Sequence, residues 1–146
     1  MAIVSLNPST KAVLTTIPES TPAEIQAAVQ AARLALPVWK QLGVAGRIKA
    51  LRPVVNQLIA RQTEFAELIS QEMGMPISQS IHDVTGAADY FTWYLDNAEQ
   101  YLAPEITYQD DTYIHEVHYE PTGVVAAITP WNYPASNVVW MVGQNL

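Results

Sequence analysis

Residues 124–129 read Val-Val-Ala-Ala-Ile-Thr, a run almost without polar side chains. A strand with one solvated face alternates apolar and polar residues. One that is apolar throughout suits the interior of a parallel sheet, covered on both faces. The turn Pro121-Thr122-Gly123 precedes the run, and Pro134 opens a last apolar helix over Ala135–Leu146. Strand followed by helix is the first half of a βαβ unit. Such a strand needs neighbours, yet no second run of this character occurs in the 146 residues. Val138, Val139, Trp140, Met141 and Val142 of the last helix likewise lack a sheet to cover them. The sequence therefore reads as an α/β chain, mostly α within these residues and cut inside a βαβ unit.

Upstream, the apolar period is helical. Residues 3–17 alternate loosely around Asn7-Pro8 and suit an extended arm or short hairpin. Thr21-Pro22-Ala23-Glu24 is a capping box with proline at the first helical position. Ile25, Ala28, Val29, Ala32 and Leu36 then share one face, with Pro37 interrupting the helix and Gly43 ending its tail. A second helix is predicted over Ala45–Arg61. A third is capped by Thr63 and stopped by Gly74 and Pro76, and a fourth runs over Ser78–Leu102. The three-and-four spacing of their apolar residues marks core faces. After Pro104 the period changes, and Thr112–Glu120 suits a half-buried strand after the polar turn Asp110-Asp111.

Charge narrows the function classes. All seven Lys and Arg lie between Lys11 and Arg61, beside only Glu19 and Glu24, so the first 61 residues carry +5. From Gln62 onward there are twelve acids and no Lys or Arg, giving −12. A nucleic-acid partner would require a basic stripe, so none is expected. Only 14% of residues are charged, which is lean for a small monomer and implies that part of the surface meets other protein. No membrane span, secretory leader or metal site is expected. Cysteine is absent, which excludes disulfides and a cysteine nucleophile within these residues, and a cytoplasmic location is the default.

Glu120-Pro121-Thr122-Gly123-Val124-Val125, followed by Ile128-Thr129-Pro130-Trp131-Asn132-Tyr133-Pro134, resembles the E-P-x-G-V-V and I-x-P-W-N-[FY]-P pattern of the aldehyde dehydrogenase superfamily. Asn7-Pro8-Ser9-Thr10 resembles the family's opening arm, and Ala27–Trp39 its alanine-rich helix. Arg47 to Leu51 and Glu72-Met73-Gly74-Met75-Pro76 match its R-x-x-x-L and E-x-G-K-P, with Met75 in place of lysine. The resemblance implies an N-terminal arm over residues 1–20 and a helical layer of the nucleotide-binding domain over 21–103. It further implies a strand of the oligomerisation region over 104–123, then the first strand and the start of the tunnel helix over 124–146.

The resemblance also implies a reaction: oxidation of an aldehyde with NAD or NADP through a cysteine thiohemiacetal, in a homo-oligomer. Short-armed succinate-semialdehyde dehydrogenases look most alike. Asn132 would donate to the oxyanion; its alternative is to cap the helix after Pro134. Ile128, Thr129, Pro130 and Trp131 would line the nicotinamide-ribose site, and Tyr133 and Trp140 the aldehyde tunnel. Met141 stands where many members carry lysine, which weakens a proton relay there. The cysteine, the general-base glutamate and the basic residue that holds the cofactor would lie beyond Leu146. This chain alone is then expected to be inactive and to bind no cofactor tightly. The rival reading is a non-catalytic remnant serving as an interaction or oligomerisation module. Of the remaining polar residues, His115 and His118 are expected on opposite faces of a strand, and His82-Asp83 on the surface.

Overall fold

The computed structural model describes residues 2–146. Two antiparallel hairpins flank a helical layer. The first joins β1 (Ala2–Leu6) to β2 (Val13–Pro18). Asn7 accepts from the Ser9 and Thr10 amides through its side-chain oxygen, at 2.9 and 3.0 Å, and Lys11 adopts φ 62° to close the turn. This arm rests on the helices through Pro8, whose ring packs beside Gly74, and through Ser5, which donates to Glu72. At Gly74, φ is 75° and an added Cβ would approach the Pro8 ring to 3.0 Å, so conformation and space both call for glycine.

The helices are α1 (Pro22–Gln41), α2 (Gly43–Ala60), α3 (Gln62–Met73), α4 (Ile77–Tyr101) and α5 (Pro134–Val142), with a 3₁₀ turn over Gly143–Asn145. The capping box forms as expected: Glu24 N–H donates to the Thr21 hydroxyl and Thr21 N–H to the Glu24 carboxylate. Two boundaries differ from expectation. Pro37 does not interrupt α1, whose last turn is anchored from outside by Trp39 Nε1 donating to the Leu146 carbonyl at 2.6 Å. Thr63 does not cap α3. Arg61 alone links α2 to α3, which leaves no extended position for Thr63, and its guanidinium pairs with Glu64 in the first turn.

Helix α4 is the central element. Its Ala87, Phe91 and Leu95 pack with Val55 of α2 and Val139 of α5. Its Val84 packs with Ala66 and Ile69 of α3 and with Met75, and Ala135 touches both groups. Burial of this apolar surface is the main stabilisation, at about 25 cal/mol per Å² removed from water. Ser70 and Ser80 share a hydrogen bond of 2.9 Å inside the second group. Helix α1 departs from the expectation of a core face: none of its residues is fully buried, and Ile25 and Val29 face solvent. The described residues hold nothing that covers that face.

The second hairpin pairs β3 (Glu105–Gln109) with β4 (Ile114–Val117). Its turn is tied by Asp110, which accepts from the Thr112 and Tyr113 amides at 2.7 Å. The expected strand is thus shorter than Thr112–Glu120, and β3 is additional. The larger correction concerns Val124–Thr129. It forms no strand, and its side chains are not covered on both faces: Val124 and Val125 are exposed and Ile128 is 87% exposed. A strand exists only through ladder bonds to a neighbour, and the two sheets here are the isolated β1–β2 and β3–β4 pairs. The mostly helical architecture stands; the first strand of a parallel sheet does not form among these residues.

Candidate functional site

The expected site residues lie together on one connected piece of chain. Ile128, Thr129, Pro130, Trp131 and Asn132 form the irregular segment entering α5, Tyr133 occupies its N-cap position, and Trp140 follows two turns later. Ile128 and Trp131 are 87% and 76% exposed, and Thr129 is half-buried. Trp140 packs edge-on against Tyr90 of α4, ring centroids 5.3 Å apart. Three grooves of the surface lie elsewhere. One runs between α2, α4 and residues 119–125, another between α2, α3 and α5, and a third between α1 and residues 123–127.

The start of α5 is fixed from another helix. A helix leaves its first amides without intrahelical acceptors, and the proline at position 134 removes one of them. The amides of Ala135 and Ser136 donate to the two carboxylate oxygens of Asp83, on α4, at 2.9 and 3.1 Å. The Ser136 hydroxyl donates to the Asp83 carbonyl at 3.2 Å. Asp83 is only 3% exposed. The surface position expected for it is therefore wrong: its negative charge sits where the helix dipole and two bare N–H groups favour it. His82-Asp83 carried no local sign of this, because the partner lies 52 residues away.

Asp83 also removes the capping alternative for Asn132. No side chain of the adjacent segment caps α5. The side-chain oxygen of Asn132 instead accepts from Nδ2 of Asn137 at 3.2 Å. Asn137 Nδ2 also donates to the Pro130 carbonyl, at 3.3 Å. Asn137 is 8% exposed, and sequence reasoning did not single it out. An amide inside an otherwise apolar helix was the available signal. Among the described residues, Asn132 Nδ2 donates to no protein group.

The electrostatics near the segment are otherwise those of an exposed rim. The Lys40 ammonium, at the end of α1, hydrogen-bonds the Glu120 carboxylate and holds it below the usual glutamate range. No Lys or Arg follows Arg61 in the sequence, so residues 128–133 have no cationic neighbour in their own half of the chain. Residues 128–133 carry no charged side chain, and their backbone groups lie outside any ladder.

The sequence model of the aldehyde dehydrogenase family matches residues 1–146. The chain belongs to the aldehyde dehydrogenase family. Among its relatives, glutarate-semialdehyde dehydrogenase of Pseudomonas putida is 33% identical over 141 residues, covering 96% of this chain and 29% of that protein. The NADP(+) succinate-semialdehyde dehydrogenase of Escherichia coli is 32% identical over 146 residues, covering 99% of this chain and 30% of that protein. The crystal structure of PnpE, from Pseudomonas sp. WBC-3, in complex with nicotinamide adenine dinucleotide superposes with TM-score 0.90 at 30% identity. That alignment covers 99% of this chain and 30% of PnpE. The chain thus spans about three-tenths of the length of these aldehyde dehydrogenases.

Proposed function

We propose that this chain contributes the oxyanion donor, and one wall each of the cofactor and aldehyde sites, to the NAD(P)-dependent oxidation of an aldehyde to a carboxylic acid. The reading rests on the site of Asn132. Asn132 precedes a helix that Asp83 already caps, its oxygen is engaged by Asn137, and its N–H₂ is free to donate. A neutral donor held in this way stabilises negative charge where it develops and does not compete as a nucleophile. In the reaction, a cysteine thiolate adds to the aldehyde carbon. The carbon–sulfur bond forms while the carbonyl π pair moves onto oxygen, and Asn132 Nδ2 donates to that oxygen. The cofactor, when bound, accepts the hydride; water then hydrolyses the thioester to the acid and regenerates the thiol. The sequence has no cysteine, so the thiolate comes from polypeptide other than these residues, and the family resemblance implies the same of the general base.

Ile128, Thr129, Pro130 and Trp131 would hold the nicotinamide-ribose end, and Tyr133 and Trp140 would shape the approach of the aldehyde. The semialdehyde dehydrogenases among its relatives favour a short aldehyde that carries a carboxylate, such as succinate semialdehyde. The arm, helical layer and β3–β4 hairpin would divide the chain as the family resemblance implies, with the hairpin in subunit contacts. In the complete polypeptide carrying this segment, Asn132→Ala should lower kcat by about 10²–10³ and leave the KM for NAD nearly unchanged. Unchanged turnover with weakened NAD binding would refute the oxyanion role. The reading as an interaction module retains one supporting observation, the uncovered apolar face of α1. An open reading frame that supplies a downstream cysteine would decide against it.

A further inference from the structure

We propose that Asn137 is a positioning residue that sets the polarity of the Asn132 carboxamide, so that its N–H₂ and not its oxygen faces the reacting aldehyde. The inference rests on the oxyanion reading of Asn132 and adds a reason why that amide should face one way. A carboxamide has two ends of nearly equal shape and opposite hydrogen-bonding sense. Turned over, Asn132 would present an oxygen lone pair to the developing anion and would oppose the reaction it is meant to assist.

The Pro130 carbonyl supplies a reference that cannot turn over, because a carbonyl oxygen only accepts. Asn137 lies 3.3 Å from it, so the end of Asn137 on that side must be its N–H₂. The same nitrogen lies 3.2 Å from Asn132. Its two hydrogens therefore serve Pro130 and Asn132, and the Asn132 end that faces it must be the oxygen. The Asn132 nitrogen is left on the outer, exposed side. Reversing either amide would set donor against donor or acceptor against acceptor.

Asn137 is suited to act as the fixed member of this pair. Its amide donates to the Tyr133 carbonyl at 2.9 Å, inside the first turn of α5 that Asp83 caps. The residue is more than nine-tenths buried. Side chains on a helix lean toward the N-terminus, which carries the Asn137 amide back over the loop holding Pro130 and Asn132.

A double-mutant cycle in the complete enzyme tests this, with succinate semialdehyde and NAD or NADP as probes. Asn137→Ala removes the director and should lower kcat about 3–10-fold, as expected for one neutral hydrogen bond. The near-isosteric Asn137→Asp only accepts when ionised, so it should draw the Asn132 N–H₂ inward and lower kcat about 10²-fold. In an Asn132→Ala background, both Asn137 substitutions should change kcat less than about 2-fold, because there is no amide left to orient. Equal losses in both backgrounds, or a change confined to the cofactor KM, would overturn the proposal and make Asn137 a brace for the Pro130 loop. Should Asn132→Ala itself leave kcat unchanged, the oxyanion reading fails first and this inference falls with it. A readout without turnover is the exchange of side-chain amide protons in isotope-labelled protein. Slow exchange at Asn137 and fast exchange at Asn132 support the arrangement, and the reverse order overturns it.

Discussion

Replacing Asp83 should loosen the whole entry to α5, and the structure sets the size of the effect. Its two oxygens take the Ala135 and Ser136 amides at 2.9 and 3.1 Å, and the residue is 3% exposed. Removing an ordinary N-cap side chain costs about 0.5–2 kcal/mol. Here a half-buried and a buried amide lose their acceptor together, and each unsatisfied buried group costs about 1–3 kcal/mol. Water entering the space left by the carboxylate returns part of that, so Asp83→Ala should cost about 3 kcal/mol. Asp83→Asn keeps the shape but has one acceptor for two donors and points an N–H₂ at a backbone N–H. It should still cost about 2 kcal/mol, whereas Ser136→Ala, which loses one neutral bond, should cost about 1 kcal/mol. Urea unfolding with an unchanged m-value measures these differences, and amide exchange within Asn137–Val142 shows whether they localise to α5. An Asp83→Asn variant within 0.5 kcal/mol of the parent, at normal α5 protection, would refute the capping argument.

Three further outcomes follow from the same structure. The 146-residue chain should oxidise no aldehyde and show no saturable binding of NAD or NADP at about millimolar levels by calorimetry, which corresponds to about −4 kcal/mol. It has no thiolate and no Lys or Arg after Arg61, and a micromolar constant would show that the phosphates are held by another route. Glu24 is held below the ordinary 4.5 chiefly by the Thr21 backbone N–H and then by the Thr21 hydroxyl. Because its folded value is depressed, the capping box is complete above the unfolded value and is lost as pH falls through the folded one; an NMR titration of Glu24 with a midpoint at or above 4.5 contradicts this. The chain should also self-associate, since Ile25, Val29 and Val38 of α1 and Val124, Val125 and Ile128 of the entering segment all face solvent. Light scattering that finds a monodisperse 16.1 kDa species across concentration would count against that.

The features legible in the sequence were those whose cause is local. The capping box at Thr21 and Glu24, the left-handed stop at Gly74, the Asp110 turn and the helical period of α4 each depend on residues within a few positions. The family pattern at 120–134 likewise lies in adjacent residues, and the family it resembles is the one the chain belongs to. Misjudged features had distant causes. Pro37 would normally end a helix because it lacks an N–H and crowds the preceding turn, but the end of α1 is held by Trp39 bonding to Leu146. The apolar run at 124–129 has the composition of a buried strand, yet a strand needs ladder partners and this one has none here. Asp83 read as a surface acid because nothing near it in sequence could show the bare helix end that it meets.

Residues 120–132 make no backbone–backbone hydrogen bond among the described residues, so no ladder or helix holds the segment that carries Asn132. The oxyanion role proposed for Asn132 would require its position to be kept to within about half an ångström. The ties present run through side chains: Lys40 pairs with Glu120 at the near end, and from the far end Asp83 fixes the first turn of α5, that turn fixes Asn137, and Asn137 holds both Pro130 and Asn132. Asp83 and Asn137, the two side chains that carry these links, are buried, and turning over the Asn137 amide would set its oxygen against the Pro130 carbonyl and the Asn132 oxygen. The order of the links predicts how damage should spread. Asp83→Ala should weaken the protection of the Asn137 side-chain amide as well as that of α5, whereas Asn137→Ala should leave the Ala135 and Ser136 amides protected. Exchange measured on the two variants side by side would show that asymmetry, and equal loss at both sites in both variants would mean that the entry to α5 melts as one unit.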